Sequence, residues 1–249
     1  MIHAGGVNML FWISWILIAM AGGVTQTLTG FGSALVMMLV VPYFLTVVRS
    51  AAVVSLVSGL LSVFLVWQYR DRLKPTHVVF PLICYLAASL SLLPFVQKID
   101  LKLMGLLFGV FLTLLGLYYL FFSEKARIPD TPAATALCGL FSGVCAACFG
   151  VGGPLMSLLF LERFPEREDY NGNLQLLFVM TNLVNTAGRA VNGIFTADLL
   201  PIVLVGTAAV WGGEKIGLKL AGKISAAAFR RSVYITVTLS GVITLIQNL

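Results

Sequence analysis

The sequence predicts an all-α polytopic membrane protein made of two inverted repeats, each of about five helical segments with a broken or re-entrant helix pair at a glycine-rich tip. Three observations carry this. Hydrophobic residues make up 59% of the chain and charged residues 10%, where a soluble domain averages roughly 25% charged. The apolar runs between charged clusters reach about 20 residues, enough to cross roughly 30 Å of hydrocarbon as a helix, and they lack the period-two alternation of barrel strands. Two glycine strings, Gly30-Phe31-Gly32-Ser33-Ala34-Leu35 and Gly150-Val151-Gly152-Gly153-Pro154-Leu155, lie 120 residues apart, and the same offset pairs Ser62 with Asn182, Thr76 with Thr196 and Pro81 with Pro201. A repeat in so apolar a chain points to a secondary transporter, whose site usually lies where the repeats meet.

In chain order, helical segments are expected over 9–27, 31–46, 50–69, 77–96 and 103–122, then 133–148, 151–163, 170–191, 198–214 and 229–248. Residues 1–123 form the first repeat, 124–131 a charged linker and 132–249 the second repeat. Residues 9–45 cannot be one helix, because at 1.5 Å per residue it would run about 55 Å, nearly twice the bilayer core. The glycine string must break it, either as a full hairpin or as a re-entrant pair. No Lys or Arg precedes the first apolar run, so it lacks the basic start of a signal peptide and is read as a retained span.

The net charge of +6 raises nucleic-acid binding, but the basic residues fall in short loops and act as topology signals. With five segments per half, one side collects Arg70, Arg72, Lys74, Lys125, Arg127, Arg163, Arg167, Lys215, Lys219, Lys223, Arg230 and Arg231, and the other Arg49, Lys98, Lys102 and Arg189. The positive-inside rule makes the first side cytoplasmic and puts both termini outside. An odd number of segments per half inverts the second repeat, so the two glycine tips point in opposite directions.

At each tip one helix ends and another begins, which leaves free backbone N–H groups and a positive dipole end inside the membrane region. Gly30, Phe31 and Gly32 in the first tip, and Gly150, Gly152 and Gly153 in the second, are candidate substrate residues, since glycine lets a ligand approach the backbone closely. Thr25, Gln26 and Thr29, with Thr27, add side-chain donors for oxyanions before the first string. Tight helix packing through small residues is the competing reading.

Asn182, Asn185, Arg189 and Asn192 recur at helical spacing and form a polar face that Asn171 and Gln175 extend; the counterpart segment offers Ser55, Ser58, Ser62 and Tyr69. Such a face belongs against protein or water, because an ionised side chain at mid-membrane costs about 3 kcal/mol or more. Asn182, Asn185 and Arg189 are therefore candidate ligands, Arg189 as a fixed charge with a planar donor fork. The alternative for Arg189 is a boundary or helix-tying role.

Cys145-Ala146-Ala147-Cys148 has dithiol spacing, but only Cys84 and Cys138 remain as partners; small-residue packing is the expectation and a membrane thiol redox protein the rival. His3 and His77 are the only histidines and no acidic cluster accompanies them, so no metal, cofactor or enzymatic chemistry is expected. Glu162 and Glu214 are candidate proton-coupling acids.

These strings resemble the TauE/SafE family of membrane permeases over nearly the whole chain. Leu28-Thr29-Gly30-Phe31-Gly32 with Pro42, the stretch Gly139 to Gly153, Asn182 to Gly193 and the small-residue run Gly206 to Gly217 carry the resemblance. It implies inverted repeats, a prokaryotic inner-membrane setting, and export of sulfite or organosulfur anions such as sulfoacetate. The first tip departs from a run of glycines and places Phe31 at the presumed site. The expected partners are a small anion, the lipid bilayer and a proton or ion gradient, with no nucleic acid; import, another small carboxylate and a homodimer stay open.

Overall fold

The computed structural model describes residues 9–122, 128–220 and 226–249; the expectations for Met1–Asn8, for Lys125, Arg127 and Lys223, and for the first half of the linker lie outside them. The helices are α1 (Met9–Thr29), α2 (Ser33–Met37), α3 (Val47–Gln68), α4 (Pro75–Val96) and α5 (Leu101–Phe122), then α6 (Pro132–Phe149), α7 (Gly153–Arg163), α8 (Arg167–Val191), α9 (Leu200–Leu220) and α10 (Ala226–Asn248). No strand occurs among the described residues. The starts follow local chemistry. Thr46 caps α3 by accepting from the Arg49 N–H at 3.3 Å, and Thr131 caps α6 by accepting from Ala134, with Pro132 at the position where a missing N–H costs nothing.

Among the described residues, six helices are long and apolar enough to cross a membrane. Exposed Leu103, Leu107, Val110, Leu114 and Leu117 make one stripe along α5, and Val79, Ile83 and Leu90 another along α4, spaced as a lipid-facing helix surface requires. This is a polytopic membrane protein. The second expected segment, 31–46, is not one helix: α2 stops at Met37 and a short 3-10 turn follows at Val41–Tyr43. Pro42 explains this, because its ring would clash with the carbonyl of Met38 in a continued α-helix. At 1.5 Å per residue α2 is about 7.5 Å long and α7 about 16 Å, so neither crosses the hydrocarbon as a helix.

Helix partners exchange in pairs. α1 packs on α9 as α6 packs on α4, α3 packs on α9 as α8 packs on α4, and α3–α8 and α5–α10 pack on each other. Replacing each helix by its counterpart in the other half leaves this scheme unchanged. α3 and α8 run antiparallel at the centre, with Ser55 beside Arg189 near one end and Tyr69 beside Gly172 near the other. Centrality accounts for composition: Val53, Val54, Val57 and Leu61 of α3 are fully buried, and α8 can be polar because its polar face meets protein.

The outer seams close on small residues. A Cβ on Gly213 would stand 2.0 Å from the Met20 carbonyl oxygen, one on Gly23 2.2 Å from that of Val210, and one on Gly143 2.2 Å from that of Tyr85. Backbone carbonyls cannot step aside, so these glycines set the α1–α9 and α4–α6 distances. A Cβ on Gly212, one residue from Gly213, would meet no described atom within 4 Å. Gly213→Ala should therefore lower thermal stability in detergent by about 1–3 kcal/mol through overpacking, whereas Gly212→Ala should raise it by up to about 1 kcal/mol through helix propensity. Equal shifts for the two variants would contradict the seam geometry.

Candidate functional site

Both glycine tips open into one cavity. It is narrow, with a volume of about 30 Å³, room for a water or two, so a ligand enters it only as the walls move apart. Its wall takes Gln26 from α1, Gly32, Ser33, Ala34 and Leu35 from the first tip, Ser58 and Ser62 from α3, Tyr85 from α4, Gly150 to Pro154 from the second tip, and Phe178 and Asn182 from α8. Gly30, Gly32 and Gly150 have φ of 83°, 101° and 69°, a region that side-chain-bearing residues rarely enter. The breaks expected from the strings are thus made by left-handed glycine backbone.

The first tip rests on a neutral hydrogen-bond network. Gln26 Nε2 donates to Ser62 Oγ at 3.0 Å and to Gln175 Oε1 at 2.9 Å, and Gln26 Oε1 accepts from Ser33. Ser33 and Ser58 hydroxyls meet at 2.8 Å, and Ser62 donates to Gln175 Oε1 at 2.8 Å. Gln175 Nε2 then donates to the Gly30 carbonyl at 2.6 Å. The break frees that oxygen, and an amide side chain from the opposite half takes it. Amides and hydroxyls have both donor and acceptor atoms, so the network closes without a charge.

The second tip is held by a cation. Arg189 is 1% exposed; its Nη1 donates to Ser55 Oγ at 2.6 Å and its Nη2 to the Ala146 carbonyl at 2.6 Å, with Ala147 O at 3.4 Å. Those carbonyls end α6, where the helix dipole is negative, so the guanidinium caps the helix that leads into the tip. No acidic partner of Arg189 occurs among the described residues. On the far side of the same tip the Tyr85 ring lies against Gly152, where a Cβ would come within 2.1 Å of its hydroxyl. Tyr119 donates to the Pro154 carbonyl at 2.8 Å and fixes the first turn of α7.

Of the expected residues, Gln26, Gly32, Gly150, Gly152, Gly153 and Asn182 meet in the cavity wall. Others shape it from behind. Thr25 bonds back to Ala21 O and sits beneath Gly32, and the Thr29 hydroxyl bonds to Thr25 O and Phe31 O. Gly30 touches Tyr170 and Asn171. Phe31 is outside the wall and stacks on Tyr119 at 5.8 Å between ring centres. Asn185 is buried with its Oδ1 unpartnered, and Asn192 ends α8 with its amide on Gly188 O. Arg189 stands behind the second tip, outside the wall.

Sequence reasoning did not single out Ser33, Tyr85 or Phe178 as site residues. Ser33 had a signal, since it directly follows Gly32; Tyr85 had none, because a tyrosine in an apolar span reads as packing. The cysteines Cys84, Cys138, Cys145 and Cys148 are free thiols, and Cys84 fills the groove at Gly139. Among the described residues no group of His, Cys, Asp and Glu is placed to hold a metal ion. Glu214 is buried in α9 with Oε1 unpartnered.

The Arg189 geometry has a measurable consequence. Arg189→Gln leaves the Ala146 carbonyl with the Gly150 N–H alone, takes the guanidinium from Ala147 O and removes the cation at the negative end of α6, and should cost about 1–3 kcal/mol of stability in detergent. Arg189→Lys should recover only part of this, since an ammonium cannot fork between Ser55 and two carbonyls. Unchanged unfolding temperatures in both variants would show that Arg189 does not hold the tip.

Comparison with curated proteins and with solved structures gave no match. The model of the family described as sulfite exporter TauE/SafE matches residues 15–244, a span that takes in both glycine tips, the α3–α8 pair and the cavity they enclose. The chain belongs to the TauE/SafE sulfite exporter family of membrane transporters.

Proposed function

We propose that the protein is a secondary transporter of small sulfur-containing oxyanions, sulfite or an organosulfonate such as sulfoacetate, and that it exports them across the inner membrane. One observation carries the reading: the two glycine tips, from opposite halves of the chain, share a single cavity lined by hydroxyl, amide and backbone N–H groups. Gly152 and Gly153 open α7, whose first N–H groups have no intrahelical acceptor and no side-chain cap. Ser58 and Tyr85 stand beside them, and the Ser33 and Ser62 hydroxyls, which donate to Gln26 and Gln175, can turn to an oxyanion that enters.

In this reading the halves act as inverted repeats that rock about the site. The antiparallel packing of α3 on α8 and of α5 on α10 supports it. So does a pair of ion pairs at opposite ends of the bundle. Arg49 meets Asp198 where α3 and α9 begin, and Asp169, the residue 120 positions after Arg49, meets Lys74 where α8 and α4 begin. Each ties one half to the other at one end and is placed to open as that end opens. Glu214 is the group assigned to proton coupling, on the strength of its burial and its unpartnered oxygen.

Sidedness tests the arrangement. In a Cys-less background, single cysteines at Lys74 and at Lys98 should label from opposite faces of intact cells, Lys74 from the cytoplasm; labelling of both from one face would end the inverted reading. Function is tested in proteoliposomes. The Cys-less protein should carry radiolabelled sulfite at the wild-type rate, and loss of flux there would favour thiol chemistry at Cys145 and Cys148. Gln26→Leu and Gly152→Val should each reduce flux by about tenfold or more, the first by removing a donor and breaking the network and the second by driving a side chain into Tyr85.

A further inference from the structure

We infer that the cavity accepts singly charged oxyanions and rejects doubly charged ones, so that the species carried is hydrogen sulfite or a monovalent sulfonate rather than the sulfite dianion, sulfate or sulfoacetate, whose sulfonate and carboxylate together make it divalent at neutral pH. The inference rests on the carrier reading above and narrows its substrate class. It starts from a count of charge. The polar side chains of the wall are Gln26, Ser33, Ser58, Ser62, Tyr85 and Asn182, and among the described residues no Lys, Arg, His, Asp or Glu joins them. A ligand must leave bulk water for a site that holds it by neutral dipoles.

One buried cation stands behind this wall. Arg189 is enclosed, with Ser55 and the α6 carbonyls as its bonded partners and the Tyr85 hydroxyl and the Cys148 thiol as the titratable groups in electrostatic reach. The other charges on the helices that surround the cavity lie at the helix ends, and those of known partner are neutralised locally. Arg49 pairs with Asp198, Lys74 with Asp169, Arg72 with Glu168 and Arg163 with Asp130, and Glu162 is engaged as well. His77 faces the ring of Phe164 at the mouth of α4, and Arg167 opens α8. Glu214, on α9 against α1, does not line the cavity.

The field at the site is therefore that of at most one positive charge, part of it met by the negative end of α6, plus oriented dipoles. A single negative charge balances it. The self-energy of an ion grows with the square of its charge, so a dianion gives up about four times the hydration of a monoanion and leaves a net charge uncompensated. The wall also carries an acceptor: Asn182 lines the cavity and its Nδ2 is committed to Phe178 O at 2.8 Å, so its carbonyl oxygen is the end of the amide left to accept. That oxygen repels a fully deprotonated oxyanion and can accept from the O–H of hydrogen sulfite.

Sulfate, methanesulfonate and sulfite separate charge from shape, because all three present oxygens on one sulfur. Sulfate is divalent at neutral pH and methanesulfonate monovalent throughout, whereas sulfite changes from monoanion to dianion near neutral pH. The experiment is displacement of bound radiolabelled sulfite from the purified full-length protein, measured on both sides of that transition. Methanesulfonate should displace the label, and sulfate should be weaker by about a hundredfold or more. The apparent affinity of sulfite, taken relative to that of methanesulfonate at the same pH, should fall about tenfold per pH unit on the alkaline side. Dividing by methanesulfonate removes any titration of the protein's own Tyr85, Cys145, Cys148 or Glu214. Sulfate within a few-fold of methanesulfonate, or a relative sulfite affinity that does not change with pH, would overturn the charge rule and leave the carrier reading standing. No displaceable binding of sulfite or methanesulfonate at any pH would overturn both.

Discussion

A helix that breaks inside a membrane leaves carbonyl and amide groups that no lipid can satisfy, and the fold is organised around meeting that demand twice. Gln175 takes the Gly30 carbonyl at the first break, and at the second Arg189 joins the Gly150 N–H on the Ala146 carbonyl. Both donors sit on α8, in the middle of the bundle. An unpaired buried backbone group costs about 1–3 kcal/mol, so the first tip needs α8 for its Gly30 carbonyl, and at the second α8 adds a cation to carbonyls at the negative end of α6. Its polarity follows from that duty, and only the narrow stripe with Met180, Leu183 and Val191 is left exposed.

The two solutions differ in kind. The first is an amide and hydroxyl network that reaches from Gln26 through Ser62 to Gln175 and includes the cavity wall itself. The second is a cation placed out of the wall, with its positive charge spent on the negative end of α6. A ligand that enters the cavity competes directly with the first network and only electrostatically with the second. The first tip is accordingly the one whose hydrogen bonds must rearrange on binding, and the second the firmer platform. Tyr119 reinforces this, because one residue holds the α7 start through Pro154 and stacks on the Phe31 ring of the opposite tip.

Membrane helices gain little from the hydrophobic effect among themselves, since lipid tails are as apolar as leucine. The outer seams rely instead on close backbone approach, α1 against α9 at Gly23 and Gly213 and α4 against α6 at Gly143. The functional pair α3–α8 uses polar contacts in addition. This division puts the static seams outside and the hydrogen bonds that a substrate can exchange at the centre.

Much of the fold was legible in the sequence. The length of the apolar runs, the 120-residue offset and the glycine strings are local properties, and each forces a helix or a break by itself; Pro42, which ends the second segment early, is equally local. Part of the site was legible for the same reason, because Gln26, Gly32, Gly152 and Asn182 lie in the strings or on the polar stripe. What sequence alone left open is where each side chain spends its hydrogen bonds. Arg189 reads equally as an anion ligand or a helix tie until α6 is seen to end beside it, Phe31 reads as an intrusion until Tyr119 is seen to stack on it, and Tyr85 carries no signal until α4 brings it to Gly152. Those outcomes depend on which helix ends lie next to which side chains. Composition and spacing fix the helices and their breaks, but the pairing of a buried donor with one acceptor among many is settled only when the helices pack.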